Sequence, residues 1–161
     1  MATVYVLLGS NTGDKEDNLK KAGSMISRRV GDLKALSAIY ETEPWGFTEN
    51  TENFYNQAIK INTPLEPEEL IHSLLGIEAQ LGRKREKEGY HDRIIDIDIL
   101  FYDDRIIQTD ILTVPHPRMH ARRFSLKVLN EIAGSFIHPV FKKEIRTLLK
   151  ECKDNKKVRR L

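Results

Sequence analysis

The chain has 161 residues, 40% hydrophobic and 31% charged, long enough to bury a continuous core and short for two ordinary domains, so one domain over 1–161 is expected. Its 26 basic and 24 acidic residues leave a net charge of +2, too small to make nucleic acid the expected partner. A single cysteine, Cys152, excludes an internal disulfide framework, and no apolar run approaches the roughly 20 residues of a membrane span.

The N-terminus, Ala2-Thr3-Val4-Tyr5-Val6-Leu7-Leu8, reads as a strand rather than a signal peptide, which predicts a cytoplasmic protein without a membrane partner. Gly9-Ser10-Asn11-Thr12-Gly13-Asp14 is a run of turn and capping residues leading into a helix whose buried stripe is Leu19, Ala22, Ile26 and Val30. Gly31 ends that helix, and 33–42 reads as one strand. An irregular loop from Glu43 to Asn53 carries Trp45 and Phe47, and a strand follows over about 54–61.

Pro67, Glu68 and Glu69 suit the first turn of a second helix, with Leu70, Leu74, Ile77 and Leu81 as its apolar face. A polar stretch, 83–93, gives way to a strand over 94–102, and Asp103-Asp104 turns it toward a second strand over 105–108. After Val114-Pro115-His116-Pro117, helices are predicted over 121–133 and 142–151. The basic tail 153–161 is expected to fray, and Cys152 to be a small packing or surface residue. Strand pairs joined without an intervening helix favour antiparallel pairing, so the expected class is an α+β sandwich.

Asp96 and Asp98 carry the sharpest chemical signal. Two apart on a strand, they project from one face with alpha carbons roughly 6.5 to 7 Å apart. Ile95, Ile97, Ile99 and Phe101 then fall on the opposite, core face, while Ile94 and Leu100 bracket the carboxylates. Like charges so close raise each other's pKa unless a cation sits with them. Magnesium, which takes few carboxylates and completes its shell with water and phosphate oxygens, fits such a pair. On spacing alone, metal binding and a solvated or arginine-paired strand face are equally good readings.

Five cations, Arg83, Lys84, Arg85, Lys87 and Arg93, lie within eleven residues just before this strand. Arginines there suit a metal-bound polyphosphate, whereas Lys84 and Lys87 alternate with glutamates as a solvated helix end does. His116, set between two prolines and followed by Arg118, Arg122 and Arg123, has little conformational freedom and could contact a phosphate. A lone histidine in a turn is more often structural. The glycine loop lacks the Gly-Lys-Ser/Thr ending of a P-loop, so its expected use is close backbone approach to a flat ligand.

In order along the chain, these motifs resemble the 6-hydroxymethyl-7,8-dihydropterin pyrophosphokinase family. They are Leu8-Gly9-Ser10-Asn11, Tyr40-Glu41-Thr42-Glu43-Pro44, Phe54-Tyr55-Asn56, Glu78, Gly82-Arg83-Lys84-Arg85, Arg93 through Leu100, Val114-Pro115-His116-Pro117 and Arg122-Arg123-Phe124. The resemblance implies a ferredoxin-like α/β sandwich that transfers pyrophosphate from ATP to the pterin hydroxymethyl group, releasing AMP, in folate biosynthesis. It implies two magnesium ions on Asp96 and Asp98, and ATP contacts or assistance to transfer from Arg83, Arg85, Arg93, His116 and Arg122, with Glu78 and Ile99 near the nucleotide. The pterin would lie near Gly9, Thr42, Glu43, Trp45, Phe54, Asn56, Asp96 and Phe124, stacked between aromatic rings and hydrogen-bonded by Asn56.

The chain departs from the family pattern at three places: Tyr90-His91-Asp92 stands where many members have Trp-Gly-Pro, Ile111 where some have arginine, and Leu75 where a glutamine can meet the nucleotide. They bear on loop closure and ATP affinity rather than on the reaction. The residues also admit two other functions: a magnesium-dependent kinase that releases ADP, and a noncatalytic ferredoxin-like binding module. The second needs basic and aromatic residues together on strands, and here the strand carries aspartates. The chain is expected to act as a monomer.

Overall fold

A computed structural model describes residues 1–43, 52–82 and 94–161. In chain order the elements are β1 (Ala2–Ser10), α1 (Lys15–Arg29), β2 (Asp32–Leu36), β3 (Tyr40–Thr42), β4 (Phe54–Thr63), α2 (Pro67–Gln80), β5 (Asp96–Tyr102), β6 (Ile107–Gln108), β7 (Thr113–Val114), a 3-10 turn (Met119–Ala121), α3 (Arg123–Ala133), α4 (Ile145–Glu151) and β8 (Val158–Arg160). Successive side chains of a strand point to opposite faces, and β1 is apolar on both. Val4, Val6 and Leu8 enter one core, while Tyr5 and Leu7 enter another.

A strand buried on both faces belongs at the centre of a sheet. β1 pairs antiparallel with β4 on one side and β5 on the other. The strand order is β5-β1-β4-β3-β8, with β2 pairing the other stretch of β4. α1 and α2 cover one face through Leu19, Ala22, Ile26, Leu70, Leu74 and Ile77. α3 and α4 cover the other through Leu126, Leu129, Ala133, Ile145 and Leu148. This is the expected α+β architecture, a ferredoxin-like antiparallel sheet flanked by helices.

Local chemistry sets the helix ends. The Asp14 carboxylate accepts the Asp17 N–H at 3.1 Å at the start of α1, and Glu66 with Glu69 forms a capping box ahead of α2, with Pro67 in its first turn. After α1 the chain passes so close to β4 that a Cβ at Gly31 would sit 2.1 Å from the Asn62 carbonyl oxygen.

Several expected elements differ. The strand expected over 33–42 is two, because Ser37 substitutes its side chain for backbone: its Oγ accepts the Ala58 N–H at 2.9 Å while its own N–H donates to the Ala58 carbonyl. β5 starts at Asp96 instead of 94. It also bulges: Tyr5 pairs with Phe101 and Val6 with Ile99, leaving Leu100 as the extra residue. The bulge resets the alternation, so Phe101 lies in the core under α3 and α4, not with Ile97 and Ile99 as expected.

The strand expected over 105–108 is only Ile107–Gln108, and it pairs with β7 rather than returning along β5. Asp103, at φ 49°, prolongs the β1 contact instead: Thr3 donates to its Oδ1 at 2.8 Å and its own N–H reaches the Thr3 carbonyl. The helix expected over 121–133 is a 3-10 turn and α3, separated by Arg122 in extended conformation. The last helix starts at Ile145, not 142, since Lys142 sits at φ 58° in a turn closed on His138. The tail does not simply fray: its residues Val158–Arg160 form β8, the edge strand beside β3. Cys152 caps α4 and packs partly buried against the second core.

Candidate active site

Residues directly opposite in an antiparallel sheet share a face, so the pairing register assembles the site. Asp96 lies opposite Gly9, Gly9 opposite Asn56, and Asn56 opposite Tyr40. One step along, Asp98 lies opposite Leu7; in the other direction, Phe54 lies opposite Thr42. Both partly buried aspartates therefore share the α3 and α4 face, next to a strip of sheet floor made of Gly9, Asn56, Phe54 and Thr42.

That floor is shaped around a missing side chain. A Cβ on residue 9 would stand 2.9 Å from Asn56 Oδ1 and 3.5 Å from Phe54 Cδ1. The buried Asn56 amide donates to Thr42 Oγ1 at 2.6 Å, which turns its Oδ1 toward the gap over Gly9. A flat heterocycle with N–H groups on one edge suits a slot with a fixed amide at its base and aromatic rings beside it. Phe124, in the first turn of α3, packs partly buried at the second core, with the Arg122 guanidinium 5.9 Å from its ring centre.

His116 comes to the aspartates from the connection after β7. Its N–H donates to the carbonyl of the bulged residue Leu100 at 3.1 Å, so the bulge that redirects Phe101 also anchors this loop. Burial pushes the His116 pKa down to about 4, and Arg122 and Arg118 push the same way against the opposing effect of Asp96. Nδ1 accepts the Arg118 N–H at 3.2 Å, so at neutral pH the ring is uncharged and Nε2 carries the proton. Arg122, only 8% exposed, brings a cation to the same corner.

Glu78, on α2, is 2% exposed, and its Oε2 accepts the Ile97 N–H at 2.7 Å. β5 is the sheet edge here, and the glutamate stands in for a neighbouring strand at the residue between the two aspartates. Ile99 is buried in the core under α1 and α2, away from the aspartate face, so its main chain is what it can offer a ligand. Trp45, Arg83, Arg85 and Arg93 lie outside the described residues, as do Lys84, Lys87 and Tyr90-His91-Asp92. Sequence reasoning missed the contribution of the tail: the Lys157 N–H donates to Glu43 Oε1 at 3.2 Å, beside Thr42.

The family of 7,8-dihydro-6-hydroxymethylpterin-pyrophosphokinases matches residues 5–134. The chain belongs to this family. It is 41% identical over 146 residues to the pyrophosphokinase of Aquifex aeolicus, covering 91% of this chain and 89% of that one. It is 43% identical over 142 residues to that of Porphyromonas gingivalis, covering 86% and 95%. A crystal structure of Plasmodium falciparum HPPK-DHPS with pteroate superposes with a TM-score of 0.76 at 17% identity, covering 93% of this chain and 44% of that longer one. At that identity the likeness shows the fold. The family match makes the chain a 2-amino-4-hydroxy-6-hydroxymethyldihydropteridine pyrophosphokinase of folate biosynthesis, using ATP.

The donor set suits a hard divalent cation. Among the described residues no three His, Cys, Asp or Glu side chains converge as a metal cage, which leaves Asp96 and Asp98 with a neutral histidine nearby. Two carboxylates whose remaining positions are open to water and phosphate are what magnesium takes in nucleotide sites. Among the described residues no helix is long and apolar enough to cross a membrane.

Proposed function

We propose that Asp96 and Asp98 hold two magnesium ions with the ATP polyphosphate, and that the pterin lies over Gly9 between Phe54 and Phe124. The observation that carries this reading is the row Asp96, Gly9, Asn56 across three adjacent strands. It supports the reading because Asp96 lies one strand away from Gly9 and two from Asn56, the floor of the proposed acceptor slot. Asn56 Oδ1 and Thr42 read the polar edge of the pterin, with Glu43 beside Thr42 on the outer side.

The pterin hydroxymethyl oxygen attacks the β-phosphorus in line. The new O–Pβ bond forms as the bond from Pβ to the oxygen bridging to the α-phosphorus breaks, AMP leaves with that electron pair, and the hydroxyl proton passes to solvent or to a phosphate oxygen. Bound magnesium supplies positive charge to the phosphate oxygens and lowers the cost of gathering them. His116 donates its Nε2 proton in a hydrogen bond to a phosphate oxygen, and Arg122, with Arg83, Arg85 and Arg93, offsets the charge that develops on transfer. Glu78 and the Ile99 backbone hold the nucleotide end of β5 in place.

The protein works as a monomeric, cytoplasmic, one-domain enzyme on small molecules. Mixing it with magnesium, ATP and the dihydropterin alcohol, then resolving the nucleotides by chromatography, tests the reading. AMP formed only when the pterin is present is the expected result; ADP would contradict β-phosphorus attack.

A further inference from the structure

We propose that residues 153–161 form a strap that holds together two walls of the pterin slot, β3 and the start of α3, and that Asp154 is its anchoring, positioning residue. The proposal rests on the placement of the pterin given above. At one end of the strap, Asp154 Oδ2 accepts the Arg123 N–H at 3.0 Å while Oδ1 accepts the Lys156 N–H at 3.0 Å. That carboxylate meets the first turn of α3, whose first orphan N–H groups favour an anion. Arg122 has no capping side-chain hydrogen bond of its own, so the tail supplies an acceptor that the helix start lacks. Phe124 is the next residue.

In the middle, β8 lies antiparallel to β3, with Thr42 opposite Val158 and Tyr40 opposite Arg160. Val158 and Arg160 thus extend the site's own rows: Phe54, Thr42, Val158 and Gly9, Asn56, Tyr40, Arg160 share one face. Val158 packs partly buried at the same core as Phe124. The Lys157 N–H holds the Glu43 carboxylate at 3.2 Å. At the far end, Arg160 Nε reaches Glu131 Oε1 on α3 at 3.0 Å, and Glu131 also accepts the Tyr40 hydroxyl at 3.0 Å. β3 has only three residues and its outer edge would otherwise be open. The strap fastens it to both ends of α3, which fixes the distance between Thr42 and Phe124.

Steady-state kinetics on the full chain tests this, with KM for the pterin, KM for ATP and kcat read separately beside a thermal melt. Loss of a helix cap corresponds to about a fivefold change in an equilibrium constant, so Asp154→Ala is expected to raise the pterin KM about fivefold with kcat changed less than twofold. Asp154→Asn, which keeps an acceptor for the Arg123 N–H, should recover most of it. Arg160→Ala frees the exposed end without touching the core and should raise the same KM about twofold, so the test stands even where Asp154→Ala folds poorly. Unchanged pterin KM in folded Asp154→Ala and Arg160→Ala, or equal losses in every parameter with no recovery by Asp154→Asn, would overturn the proposal. Asn56→Ala is the separate check on where the pterin lies: if its pterin KM is unchanged, the placement fails and the strap proposal with it.

Discussion

A Cβ at residue 9 would press on Asn56 Oδ1 at 2.9 Å, and the only side chain that leaves the amide in place is hydrogen. Gly9→Ala forces either Asn56 or the bound heterocycle to move. Overpacking of this kind costs about 1–3 kcal/mol, so the pterin KM should rise about tenfold with ATP binding little changed, measured by varying each substrate in turn. Asp98→Ala leaves the sheet intact, because its strand is held by backbone pairing to β1. Groups behind a metal's ligands already cost about ten- to a hundredfold when removed, so loss of this proposed ligand should lower kcat by at least about a hundredfold at an unchanged melting temperature. The paired aspartates and the proline-flanked His116 were legible in the sequence because both signals are local. The tautomer of His116 was not, since it depends on Arg118 as donor to Nδ1.

At the scale of elements, β5 is an edge strand that carries Asp96 and Asp98, the carboxylates proposed to hold magnesium, and a side chain from α2 steadies it. Glu78→Ala leaves the Ile97 N–H buried without its acceptor, at a cost of about 1–3 kcal/mol, to be read as a lowered urea midpoint at unchanged slope. Glu78→Gln keeps an oxygen acceptor and should recover most of that loss. The apolar run of β1, the strand residues of β4 and the helical spacing and caps of α1 and α2 announced those elements, because these signals are written within each segment. The bulge at Leu100 was not written there: one extra residue against Tyr5 and Val6 moves Phe101 to the other core, and only the partner strand reveals it. The break at Ser37 has the same origin, a side chain competing with backbone for Ala58.

Across the whole molecule, acid acts on the second core through a buried histidine. His138 is 2% exposed in the second core, and its Nδ1 accepts the Val140 and Phe141 N–H groups at 3.1 and 3.3 Å. Burial, with His120 nearby, pushes its pKa down to about 4, against about 6.5 in the unfolded chain. The unfolded state therefore binds more protons between those values, and the part of the stability that His138 supplies should fall as the pH drops from about 6.5 toward 4, by about 1–2 kcal/mol at pH 5. Denaturant unfolding at pH 7 and pH 5 measures the loss, and His138→Asn, which keeps an acceptor but cannot take up the proton, should show a smaller one. The antiparallel α+β class was legible from the order of elements. The strap was not, since a run of lysines and arginines reads as solvated charge until Asp154, Val158 and Arg160 are seen against α3 and β3.

The most direct test of the site is pterin-dependent AMP release by the wild-type protein and by Asp98→Asn, side by side, under saturating magnesium and ATP, with folding verified by circular dichroism. The substitution keeps the size of the side chain and removes its charge. AMP is expected from the wild type, and at least about a hundredfold less from a variant of equal melting temperature. Near-normal release by Asp98→Asn would contradict the assignment of this strand as the metal-binding element.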